Sequence, residues 1–173
     1  MGRATCPDDE KVIVLRFLFP YICYLKKFSM NKFISNVEIR WSDLDPNFHL
    51  RHSVYYDFGA FSRIAFFNSN CITPQVMSQH NIGPILFREE CIFKKEIRFD
   101  DKVTINIKLS KSRADHSRWT MVHEIYKNDD ILAASITVDG AWLDTKKRKL
   151  SVPPDIFNKA FEIIPKTEDF QML

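Results

Sequence analysis

The chain has 173 residues, of which 45% are hydrophobic and 27% charged. That size and balance suit one soluble globular domain with a substantial core and leave little room for a second. Lys and Arg number 25 against 22 Asp and Glu, a net charge of +3. So weak a bias argues against nucleic acid as a partner, although it is compatible with a phosphorylated ligand. The densest basic run, Lys146 to Lys149, reads first as a solvated turn. Fifteen Phe residues suggest an aromatic interior or a pocket for an apolar group.

The four cysteines, Cys6, Cys23, Cys71 and Cys91, show no paired spacing, and no HxxxH or HExxH arrangement occurs. Reduced thiols in a cytoplasmic protein, with no metal site, are expected.

Residues 12–25, VIVLRFLFPYICYL, form the most apolar stretch. A spanning helix needs about 20 apolar residues, and this run is shorter and interrupted by Arg16 and Pro20. Acidic residues precede it where a secretory signal carries basic ones. Three readings stand open: an added element packed on the domain, a membrane-surface segment, or sequence upstream of a start at Met30. The expected organisation is an extension over 1–29, a domain over 30–165 and a tail over 166–173.

From residue 33 the pattern becomes regular. Phe33, Ser35, Val37, Ile39 and Trp41 alternate with Ile34, Asn36, Glu38 and Arg40 as in a half-buried strand. The loop 42–52 is rich in turn formers and histidine. A helix over 53–69 follows, with Val54, Phe58, Phe61 and Ala65 at helical spacing and Ser53 as candidate N-cap. Gly59 within it would let a sheet approach closely. Four strand-like runs come next, at 85–97, 102–110, 118–127 and 131–143, then Pro153-Pro154 and a short helix near 155–162. Strand, apolar helix and four antiparallel strands are most economically joined as one curved sheet around one helix.

The segment Arg40-Trp41-Ser42-Asp43-Leu44-Asp45-Pro46, with His49 and Tyr55, resembles the opening motif of the hotdog thioesterases, 4-hydroxybenzoyl-CoA thioesterase-like branch, approximately D-x-D-P-x-G-H-x-N-N-x-x-Y. Gly83-Pro84, Phe99-Asp100-Asp101 and Gly140-Ala141-Trp142-Leu143-Asp144 extend the resemblance over about residues 33–157. It implies an α+β hotdog fold, a five-stranded antiparallel sheet wrapped around a long central helix, in a homodimer or homotetramer hydrolysing an acyl-CoA. CoA is then part of the substrate, and no separate cofactor is expected. Asp45 matches the catalytic carboxylate. His52 falls where a backbone N–H polarises the thioester carbonyl. His49 and Tyr55 match the motif histidine and aromatic residue. Phe48 stands for the motif glycine, and Arg51-His52 for the common Asn-Asn, so both Phe48 and Arg51 bear on substrate choice.

The chemistry is coherent without the family. An aspartate is ionised at neutral pH and serves as base toward water or as nucleophile. The first amides of a helix lack intrahelical acceptors and can hold an oxyanion. A leaving thiol with a pKa of roughly 8.5 departs with little help from an acid. Taken singly, Asp43 and Asp45 read as turn residues and the histidines as structural ones. Arg63 reads first as a surface ion pair and second as a phosphate ligand, and His123 as core or interface before catalysis. Two rivals share the fold. A dehydratase would need a carboxylate late in the helix, where Arg63 and Asn68 stand instead. A non-catalytic acyl-CoA binding or assembly module is left open by Phe48 and Arg51.

Overall fold

A computed structural model describes residues 33–173. The expectations for residues 1–29, the apolar run 12–25, Cys6 and Cys23 lie outside the described residues. The elements in chain order are β1 (Ile34–Val37), a 3-10 turn (Trp41–Asp43), α1 (His52–Ser69), α2 (Pro74–Gln79), β2 (Ile82–Phe93), β3 (Val103–Asn106), β4 (Lys108–Ser112), β5 (Arg118–Lys127), β6 (Ile131–Asp144), β7 (Lys149–Leu150), α3 (Asp155–Ile163) and β8 (Lys166–Met172).

The strands form one curled, mainly antiparallel sheet. β6 lies between β2 and β5, and β5 pairs in turn with β3 and β4. β1 adds to β3, and β8 runs parallel to β4. The expected count of five therefore falls short of the eight strands found among the described residues. The run 102–110 divides at Ile107, and residues 166–172, expected as tail, form a strand on β4.

β5 shows why the strands take this form. Trp119, Met121, His123 and Ile125 share one face and are buried to 2% exposure or less, so alternation converts directly into core. β2 begins earlier than expected and contains Pro84, which pairs with Trp142. A proline is tolerated there because β2 pairs only with β6, leaving its other edge open.

α1 contacts β1, β2, β3 and β6. Its buried stripe is Val54 and Tyr55, Phe58 and Gly59, Ser62 and Arg63, Phe66 and Phe67. The repeat is of adjacent pairs four residues apart, so Phe61 of the expected stripe turns outward at 49% exposure. A Cβ on Gly59 would stand 3.3 Å from Ile136 Cδ1 and 3.6 Å from His123 Cδ2, which is the close helix–sheet approach expected there. Ser53 is not the N-cap. Arg51 takes that place without a side-chain capping bond, and Ser53 lies inside the first turn.

Trp41 also departs from expectation. The amide and Nε of Arg40 donate to Asp43 Oδ2, at 2.9 and 3.3 Å, closing the 3-10 turn. That turn ends the alternation after Ile39 and leaves Trp41 69% exposed. Cys91 is a free thiol. Cys71 is in a disulfide, so the expectation of four reduced thiols fails there, because scattered spacing does not reveal pairing. Among the described residues no helix is long and apolar enough to cross a membrane, and no cluster of ligating side chains could hold a metal ion.

Candidate active site

The loop 42–52 is folded by its own polar groups. The Asp45 amide donates to the His49 carbonyl at 2.8 Å, and the Phe48 amide to the Asp45 carbonyl at 2.9 Å. Asp45 Oδ1 accepts from the amides of Asn47, at 2.8 Å, and His49, at 3.0 Å. An aspartate that binds amides two and four residues onward organises a tight turn. Bridges of Leu44 to Leu50, within the loop, and of His49 to Arg98, in the segment between β2 and β3, then pin the turn. The Arg51 amide donates to the Asp43 carbonyl at 2.8 Å, and α1 starts at the next residue.

The turn leaves Asp45 with one oxygen anchored and one free. Both bonds go to Oδ1, and Oδ2 has no partner among the described residues. The His49 amide, more than any other contact, holds the carboxyl below its ordinary range; Asn47 adds to this, while slight burial opposes it. Asp45 is therefore ionised at neutral pH.

An open groove of about 400 Å³ joins this carboxylate to the start of α1. It is lined by Asp45, His49, Leu50, His52 and Tyr55 on one side and by Phe93 to Glu96 on the other. His52 is the first residue of α1, so its amide and that of Ser53 precede the first intrahelical bond. His49 Nε2 lies 3.5 Å from Glu96 Oε2. The Tyr55 ring is buried and meets Phe93 edge-on at 5.0 Å. Burial, then the nearby Cys91, Asp101 and Asp45, push its phenol up to about 12, so it stays protonated.

The structure thus brings Asp45, His49, His52 and Tyr55 to one groove. Phe48 and Arg51 lie outside its lining. Phe48 has φ 61°, the left-handed region that favours glycine, which accounts for the motif glycine at this position. Its ring is 63% exposed and sits 6.2 Å from Trp41, which is as far again from Phe99. Leu50, Phe93, Lys94, Lys95 and Glu96 carry no motif in the sequence; Lys95, a charge at the parity that Cys91, Phe93 and Ile97 share, is the one signal of them.

About two turns past Tyr55 along α1, Arg63 is buried, not on the surface. Its Nη1 donates to Glu89 Oε1 at 3.1 Å and approaches His123 Nε2 at 3.3 Å. His123 Nδ1 lies 2.9 Å from the Asn106 carbonyl, which assigns the ring proton to Nδ1. Burial first, then Arg63, lowers His123 to about 3. A second cavity, about 330 Å³, opens between β1 and the start of β8, away from the acidic loop. Its Glu124 Oε2 is held by Asn106, Tyr126 and Lys108 at 2.7 to 3.0 Å.

The groove thus lies where the helix that starts at the acidic loop meets the end of β2. The sequence model of the Thioesterase-like superfamily matches residues 39–161, most of the chain, and the protein belongs to that superfamily. No curated protein matches the sequence. Among solved structures, the chain is similar to a Staphylococcus aureus protein determined in complex with CoA, with a TM-score of 0.72 and 16% identity over 79% of this chain and 87% of that one. It is also similar to a 1,4-dihydroxy-2-naphthoyl-CoA thioesterase from Synechocystis, with a TM-score of 0.67 and 15% identity over 75% and 94%. A Thermus thermophilus thioesterase complexed with coenzyme A and zinc gives a TM-score of 0.62 and 21% identity over 75% and 90%. These likenesses are consistent with a hotdog fold.

Proposed function

We propose that the protein is an acyl-CoA thioesterase of the hotdog fold, with α1 as the central helix and β1, β2, β3 with β4, β5 and β6 as the main strands. The single observation that carries this reading is the free Oδ2 of Asp45, a residue of a groove that also holds His52, the first residue of α1. Oδ2 attacks the thioester carbonyl or takes a proton from an attacking water. The amides of His52 and Ser53 receive the negative charge that develops on the carbonyl oxygen. The C–S bond breaks, and the thiolate leaves at little cost because its pKa is roughly 8.5. After direct attack the acyl group stays on Asp45 as an anhydride, which water then hydrolyses to the free acid. After water attack the proton taken by Asp45 passes to the thiolate. A depressed pKa makes Asp45 a weak base but keeps it charged, and the anchored Oδ1 costs no reorganisation during the attack. Tyr55 and His49 line the acyl and pantetheine path, and Arg51 and Phe48 bear on the substrate from outside the groove. CoA enters as substrate, without a separate cofactor, and the setting proposed is the cytoplasm.

The working form is a homo-oligomer. β2 has one open edge, and Leu86, Phe87, Ile92 and Phe93 along it are 43 to 57% exposed. Such an edge invites a second copy, which would complete the open side of the groove. Light scattering at micromolar concentration tests this, and a monomer alone would contradict it.

The test of function is thiol release from a panel of short, long and aromatic acyl-CoAs. A non-catalytic acyl-CoA binding or assembly module, the alternative, would shift ligand spectra without turnover. Binding with no hydrolysis of any panel member would favour that module over the thioesterase.

A further inference from the structure

The far wall of the groove contains a device that the catalytic loop does not explain. β2 ends at Phe93, which pairs with Ala134. The amides of Lys94 and Lys95 then both donate to the Ala133 carbonyl, at 2.8 and 3.0 Å. Two residues opposite one make a β-bulge, a feature enriched beside active sites, where it re-aims side chains. Here it sets two consecutive lysines on the groove lining.

Their charge is uncompensated. Among the described residues neither Lys94 nor Lys95 has an acidic partner, although most cations near the groove do. The adjacent Glu96 is engaged by Arg98, at 2.8 Å, and by His49, at 3.5 Å. Asp45, the remaining carboxylate of the lining, already accepts two amides. Two ammonium groups in sequence repel each other, and an anion between them relieves that repulsion while accepting charge-assisted hydrogen bonds.

We propose that Lys94 and Lys95 form an anion subsite of the groove, which holds a phosphate or carboxylate carried by the substrate beyond its thioester. The proposal rests on the groove being the thioester site. A groove of about 400 Å³ encloses only part of an acyl-CoA. The anion is therefore either a phosphate of the carrier or a carboxylate at the far end of the acyl group. The chemistry recognised is the same, and experiment separates the two sources.

The full chain, Lys94→Met, Lys95→Met and the double variant are compared, with Lys149→Met, on exposed β7, as a control for lost charge. Binding of CoA and of pantetheine is measured by calorimetry. Hydrolysis is measured with pentanoyl- and glutaryl-pantetheine, which differ by a terminal carboxylate. If the subsite takes phosphate, CoA binds at least about tenfold tighter than pantetheine, and the double variant loses that margin. If it takes carboxylate, the glutaryl ester has a KM about tenfold below the pentanoyl ester, and that margin is lost instead. Neither margin in the wild type, margins surviving in the double variant, or equal losses in Lys149→Met would overturn the subsite. The two readings fail separately. CoA binding that depends on the lysines, with no hydrolysis, defeats the thioesterase and keeps the subsite; hydrolysis indifferent to the lysines does the reverse.

Discussion

Replacing Arg63 by methionine tests how α1 is fastened to the sheet, because Arg63 joins it to Glu89 of the edge strand β2. Its side chain is 10% exposed and that of Glu89 is 23% exposed. The substitution keeps much of the aliphatic volume but leaves the Glu89 carboxylate unpaired and His123 Nε2 without its donor. Breaking a buried ion pair from one side costs about 3 to 5 kcal/mol. Glu89 can recover some water, so the lower end applies, about 3 kcal/mol. For a chain of this size that corresponds to a fall in Tm of roughly 6 to 12 °C. The double variant Arg63→Met, Glu89→Gln removes the stranded charge and should lose clearly less than the two single losses added together. Urea denaturation of the four proteins measures the coupling. A loss below about 1 kcal/mol in Arg63→Met, or simple additivity in the double variant, would refute the reasoning.

Asp45→Asn retains an acceptor for the two amides but removes the charge, so turnover should fall at least about 10²-fold with the protein still folded. Near-normal hydrolysis would move suspicion to Asp43, His49 or His52. Asp43→Asn, by contrast, weakens the buried contacts to Arg40 and should act chiefly on stability, as circular dichroism melts would show. Gly140→Ala would drive a methyl group against the Trp119 ring, at 2.5 and 2.7 Å from two of its carbons, and should destabilise by about 1 to 3 kcal/mol in denaturant titrations. His123 binds a proton far less readily when folded, at about 3, than its ordinary 6.5. Its contribution to stability is therefore complete above about pH 6.5 and is lost as pH falls toward 3. Denaturation midpoints should fall through that window, and replacing His123 by glutamine should flatten the fall between pH 6.5 and 5, before most carboxylates titrate.

Legibility in the sequence follows the range of the interactions concerned. β5 could be read because its burial obeys a strict alternation, and α1 because its apolar density runs over 18 residues. The stripe it buries was misread at Phe61, since counting apolar residues passes over Ser62 and Arg63. Arg63 is buried because Glu89 and His123, 26 and 60 residues away in the chain, accept from it. β8 escaped notice for the opposite reason: Lys166 to Met172 is mostly polar, and only pairing with β4 makes it a strand. The break at Ile107 leaves no mark, because Val103, Ile105, Ile107 and Leu109 keep one parity through it and all are buried.

The groove divides along the same line. The turn of its near wall, Asp45 to His49, is folded by hydrogen bonds within four residues, so turn formers, histidines and the start of an apolar helix announce it together. The left-handed φ of Phe48 belongs here too, since the turn demands that conformation whichever side chain occupies it. The far wall has no such local cause. Phe93 reaches it through Tyr55, and the bulge at Lys94 and Lys95 exists only because Ala133, on another strand, offers both amides one carbonyl. A local motif can therefore indicate how the thioester is attacked, while the substrate's remaining groups meet residues that only the tertiary fold brings to the groove.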